Sequence, residues 1–76
     1  MVIQFTGGKI ILSVHEVVVR LDRHSVTLQA HADAITLMGK GANVMIANGS
    51  ESKWSIKLDD EIQLRSIADM LACDVL

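Results

Sequence analysis

Seventy-six residues, half of them apolar and together carrying a net charge of −2, are enough for one domain with one core and no more. The composition is too apolar for a disordered segment, and the acidic balance excludes a protein built to track a phosphate backbone, which needs a basic face. No apolar run reaches the roughly 18 residues of a membrane-crossing helix, and no charged start precedes a long apolar stretch, so a cytoplasmic protein without a secretory leader or membrane partner is expected.

From the N-terminus the chain alternates with a period of two, as half-buried strands do. Ile3 and Phe5 oppose Gln4 and Thr6; after a turn at Gly7-Gly8, Ile10 and Leu12 continue the series and Val14 extends it. Val17, Val19 and Leu21 oppose Val18, Arg20 and Asp22. A turn at Asp22-Arg23-His24-Ser25 leads to Val26, Leu28 and Ala30, opposed by Thr27 and Gln29. Ile35 and Leu37 oppose Ala34, Thr36 and Met38, and Gly39-Lys40-Gly41 reads as a glycine-rich hairpin turn. Val44 and Ile46 oppose Met45 and Ala47, and Asn48-Gly49-Ser50 turns the chain again. Trp54, Ile56 and Leu58 oppose Lys53, Ser55 and Lys57 in the cleanest alternation of all. The connections are too short for parallel crossovers, so six or seven antiparallel strands are expected over about residues 2–58.

The period changes at residue 59. Leu64, Ile67, Ala68 and Leu71 stand at i, i+3, i+4 and i+7, one face of a helix over about residues 60–73. Asp60 and Gln63 have the spacing of a capping box, and Asp59, Asp60 and Glu61 suit the positive end of the helix dipole. Residues 1–58 carry a charge of +2 and residues 59–76 one of −4, which reads as this helix start plus a solvated face, or as an acidic surface for a basic partner. The expected fold is therefore mainly β: one domain over 1–76, a strongly bent antiparallel sheet or partial barrel closed by a C-terminal helix. Trp54, Ile56, Leu58, Leu64, Ile67 and Leu71 are its packing anchors, with Trp54 set against the helix.

Residues that could carry chemistry are few. His31 and Asp33, two apart, would share one face of a strand and could begin a metal site with His15 or His24, but no ligand pair recurs at a zinc-type spacing and a turn over 31–34 is the simpler reading. None of the serines lies in a nucleophile elbow, and Ser13 beside His15 is strand adjacency. Cys73 is the single cysteine: no internal disulfide is available, and a small buried inert thiol is expected. Gly39-Lys40-Gly41 lacks the spacing of a phosphate loop. Two aromatics, Phe5 and Trp54, give no stacking platform for nucleic acid. No catalytic residue, cofactor or metal is assigned, and an enzyme is not expected.

Apolar residues also lie on the other face: Ile11, Val18, Met38 and Met45 are placed outward by the alternation. One helix covers only part of a six- or seven-stranded sheet, so the sheet curls, a partner covers it, or both.

Two resemblances accompany these residues. Strands ending on Trp54-Ser55-Ile56-Lys57-Leu58, followed by one amphipathic helix from Asp60 to about Cys73, resemble a minimal pleckstrin-homology-like domain. The resemblance implies a shape and not lipid binding, since Lys9, Arg20, Arg23 and Lys40 are scattered. Gly8-Lys9-Ile10-Ile11, His15-Glu16-Val17-Val18-Val19-Arg20-Leu21, Trp54-Ser55-Ile56-Lys57-Leu58 and Ile67-Ala68 are similar to a small family of uncharacterised short proteins of marine gammaproteobacteria, which implies a bacterial cytosolic protein and no activity.

The expected function is a non-catalytic protein-interaction module acting as a homodimer, with an unidentified protein partner that could add a strand at a sheet edge. A carrier of a small apolar ligand, held between sheet and helix by Ile10, Leu12, Val19 and Leu28, is the alternative. A metal-binding protein or enzyme using His31 and Asp33 is the third.

Burying Leu64, Ile67 and Leu71 contributes about 5–9 kcal/mol, as much as the net stability of a small domain. A chain ending at Asp59 is therefore expected to aggregate; a soluble truncation that melts cooperatively by circular dichroism would show the sheets to be self-sufficient.

Overall fold

The computed structural model describes residues 1–23, 25–50 and 53–76. Within them the strands are β1 (Val2–Phe5), β2 (Gly8–Leu12), β3 (Glu16–Leu21), β4 (Val26–His31), β5 (Ile35–Met38), β6 (Val44–Asn48) and β7 (Lys53–Lys57), followed by the helix α1 (Glu61–Leu71). Every neighbouring pair is antiparallel. The strands form two sheets, β1-β2-β3-β4 and β5-β6-β7, each in sequence order. The expected meander and C-terminal helix are present, but the single bent sheet or partial barrel is corrected to two sheets with no closed barrel. The cause lies between β4 and β5: Ala32–Ala34 form a 3-10 turn, which uses the residues that would carry the ladder on, so β5 opens a new sheet.

Neither sheet could hold its apolar face alone, and both share one core. Ile10, Val17 and Val19 from the first sheet, Leu37 and Met45 from the second and Leu64 and Ile67 from the helix are all completely enclosed, with Leu12, Ala30, Ile35, Ala47, Leu58 and Ala68 buried around them. Of the expected anchors, Leu58, Leu64 and Ile67 are buried, whereas Trp54, Ile56 and Leu71 are half-buried and pack against the cluster. The Trp54 indole N–H donates to the Gln29 carbonyl at 3.4 Å, so this side chain ties β7 to β4 across the two sheets.

Met45 reverses its expected side. The alternation places it outward, yet it stands in register between Leu37 and Ile56, two inward residues, and is fully buried. In Val44-Met45-Ile46-Ala47 both phases are apolar, so alternation alone cannot tell inside from outside; the neighbouring strands do. Val14 also departs from expectation: it lies in the β2–β3 turn and is 65% exposed.

Asp60 caps α1 as expected, accepting the Gln63 backbone N–H at 2.9 Å. The reciprocal half of the box is displaced by one residue, because the Gln63 side-chain oxygen accepts from the Asp59 N–H at 3.0 Å. The helix ends at a left-handed Ala72 (φ 55°, ψ 42°), with the Cys73 N–H returning to the Ala68 carbonyl. The chain then runs beside β5. Val75 pairs in parallel with Leu37, the Leu76 N–H donates to the Leu37 carbonyl at 2.8 Å and the Gly39 N–H donates to the Leu76 carbonyl at 2.7 Å. The last residues thus cover the outer edge of β5, which would otherwise present unpaired backbone groups.

One glycine is required by space. Gly8, which opens β2 at φ 154°, lies so close to β3 that a Cβ there would fall 1.9 Å from the Arg20 carbonyl oxygen. Relief would force β2 and β3 apart through the Ile10–Val19 pair at the centre of the core. Gly8→Ala is expected to destabilise the fold by about 3 kcal/mol, read as a lower urea midpoint with an unchanged slope.

Candidate interaction surface

Strand alternation sends every second residue of the four-stranded sheet away from the core, and register aligns those residues in rows. One row is Gln4, Lys9, Arg20 and Thr27. The next is Val2, Ile11, Val18 and Gln29, an apolar row across three strands in which Val2 is 57% and Ile11 37% exposed. The third brings Glu16 opposite His31. Along the strand direction the face runs from the Lys9–Arg20 pair through the apolar row to the Glu16 carboxylate, with His31 opposite it and the N-terminal ammonium donating to the nearby Leu12 carbonyl at 3.1 Å; β3 alone carries Glu16, Val18 and Arg20 in that order.

Each end has its own geometry. At the basic end Lys9 and Arg20 stand directly opposite one another, a like-charged cross-strand pair that is unfavourable in the isolated sheet. They line an open groove of about 340 Å³ with Leu21, Asp22, Ser25, Val26 and Thr27. At the other end the Gln29 side-chain N–H donates to Glu16 Oε2 at 2.8 Å, which orients the carboxylate.

The expected metal candidates fall at one end of the molecule. His31 closes β4 and Asp33 lies in the 3-10 turn, both exposed, so they do not share a strand face as the two-residue spacing suggested. The His15 carbonyl accepts the Ala32 N–H at 2.8 Å, which brings the β2–β3 turn beside this segment at the level of the backbone. Among the described residues no three His, Cys, Asp or Glu side chains are placed to hold a metal ion; His24 lies outside those residues. Ser13 serves its turn, its hydroxyl oxygen accepting the Glu16 N–H at 3.2 Å. Cys73 is half-buried, and burial first and the neighbouring Asp74 second push its thiol up, which keeps it protonated and a poor nucleophile. Ile10, Leu12 and Val19, expected to line a carrier cavity, belong to the packed core, with Leu28 half-buried against it.

The acidic run before the helix has a structural task that its composition does not announce. Asp59 receives the Thr6 backbone N–H on both carboxylate oxygens, at 2.9 and 3.1 Å, and the Gln63 side-chain N–H donates to the Gln4 carbonyl at 3.0 Å. The helix start is thereby fastened to the β1–β2 hairpin, more than 50 residues away in the chain. Hydrogen bonding from Thr6, side chain first and backbone second, holds the Asp59 carboxyl below its ordinary 3.8; slight desolvation opposes this and Gln63 adds to it.

A family model described as "Protein of unknown function (DUF3389)" matches residues 1–75, and the chain belongs to that family. No curated protein and no solved structure matches the chain. No helix among the described residues is long and apolar enough to cross a membrane.

A carboxylate whose folded value is lowered stabilises the fold above its unfolded value, and that contribution is lost as the pH falls through the folded value. Asp59→Asn is expected to be less stable at pH 7 and to lose less of its remaining stability between about pH 5 and pH 2 than the parent chain. Urea midpoints across that range check this; parallel acid limbs would remove Asp59 from the account.

Proposed function

We propose that this chain is a non-catalytic, self-associating protein-interaction module, cytoplasmic and bacterial, whose contact surface is the outer face of the four-stranded sheet. The observation that carries the reading is the row Val2, Ile11 and Val18, apolar side chains in register on a face turned away from the core. In so small a domain, apolar residues placed outward in a row across three strands are a surface to be covered. Asp59 in the hairpin contact and Asp60 in the helix cap are engaged in holding the fold together, which supports a non-catalytic reading. The seven-strand meander followed by one helix supports the resemblance to pleckstrin-homology-like architecture as a scaffold shape, with no ligand carried over.

Native mass spectrometry of the untagged protein is expected to show a dimer with no added mass. Val18→Lys is expected to weaken that dimer at least about 100-fold while leaving the thermal midpoint within a few degrees, since the side chain lies on the outer face. A parent chain that stays monomeric at high concentration would refute the reading, and a monomer carrying a reproducible extra mass would turn it toward a carrier.

A further inference from the structure

We infer that the occupant of the apolar row is a second copy of this chain, docked about a two-fold axis running along the row, so that Glu16 of each copy meets Arg20 of the other. The inference rests on the self-association proposed above and specifies its geometry.

Strand β3 presents Glu16, Val18 and Arg20 on one face at i, i+2 and i+4. At about 3.4 Å per residue the acid and the base stand about 14 Å apart with Val18 midway. Two sheets packed face to face can be related by a two-fold along the strands or by one across them. The first sets Lys9 and Arg20 over the same pair of the other copy and adds four like charges to one contact. The second lays β3 antiparallel over its counterpart: Val18 meets Val18, Ile11 meets Ile11, and each basic end lies over an acidic one. Only the second is self-complementary, as an isologous interface must be.

Three further features fit it. Lys9 and Arg20, opposed within one chain, gain a counter-charge that their own sheet does not place between them. Glu16 is already oriented by Gln29 through Oε2, so the contact orders no free carboxylate. Face-to-face sheets lie about 10 Å apart, a gap that an arginine and a glutamate reaching from opposite sides can close.

The test is a charge exchange read by analytical ultracentrifugation. Arg20→Glu and Glu16→Arg are each expected to weaken the dimer at least about tenfold, because each sets like charges opposite one another. The double variant E16R/R20E restores opposite charges across the axis and is expected to return to within about threefold of the parent. The parent dimer itself needs no substitution: raising the salt from about 0.05 to 0.5 M is expected to weaken it at least about threefold. A dimer insensitive to salt, or a double variant no tighter than the singles, would overturn this geometry while leaving self-association standing. A parent chain that is monomeric at all concentrations would overturn both.

Discussion

Everything in this molecule depends on one apolar contact shared by three layers. Ile10, Val17 and Val19, Leu37 and Met45, and Leu64 and Ile67 come from different elements and close on one another completely. Each sheet has an apolar face that must be buried against another layer. Joined through a helix that contributes side chains to both, they make a core large enough to offset the conformational entropy of a short chain. The two sheets are consequently one folding unit despite the break between β4 and β5.

Polar groups fix how these layers meet. Apolar contact is undirected and would tolerate several placements of the helix. Asp59 on the Thr6 amide and Gln63 on the Gln4 carbonyl remove that freedom at the N-terminal end, while pairing of Val75 and Leu76 with β5 removes it at the other. The helix is held at its start by side-chain hydrogen bonds to the backbone of one sheet's hairpin and beyond its end by backbone pairing of the tail with the other sheet, and its middle supplies the burial. Such contacts add little net energy each, but a misplaced helix would leave their donors and acceptors unpaired, which costs more.

A domain of this size also has more apolar residues than its interior can use. The excess is not scattered. Val2, Ile11 and Val18 fall in one register row because β1, β2 and β3 pair without a bulge, and the same register sorts Lys9 and Arg20 to one side and Glu16 to the other. The pairing that builds the core therefore also writes the pattern on the opposite face. In this fold the core face and the outer face are two sides of the same strands, and a register slip would exchange them.

The sequence by itself determined the elements whose signal is local: the strands, because period-two alternation appears in each short segment; the antiparallel order, because the connections are short; and the helix with its Asp60 cap, because three-to-four spacing and capping chemistry act within a few residues. Gly8 was legible only as part of a turn, since the Arg20 carbonyl that excludes a side chain there is 12 residues on. The side of Met45 was not legible at all, because both phases of Val44–Ala47 are apolar and only pairing with Leu37 and Ile56 chooses between them. The tail over 74–76 escaped because the helix stops at a left-handed alanine rather than a glycine, and its strand partner lies nearly 40 residues earlier. For the candidate surface, Ile11 and Val18 could be placed outward from the chain alone, whereas their alignment with Val2, and the opposition of Glu16 to the Lys9–Arg20 end, came only with register. Local periodicity decides which residues can be in or out; contacts between distant segments decide which of them stand together, and that is a property of tertiary structure.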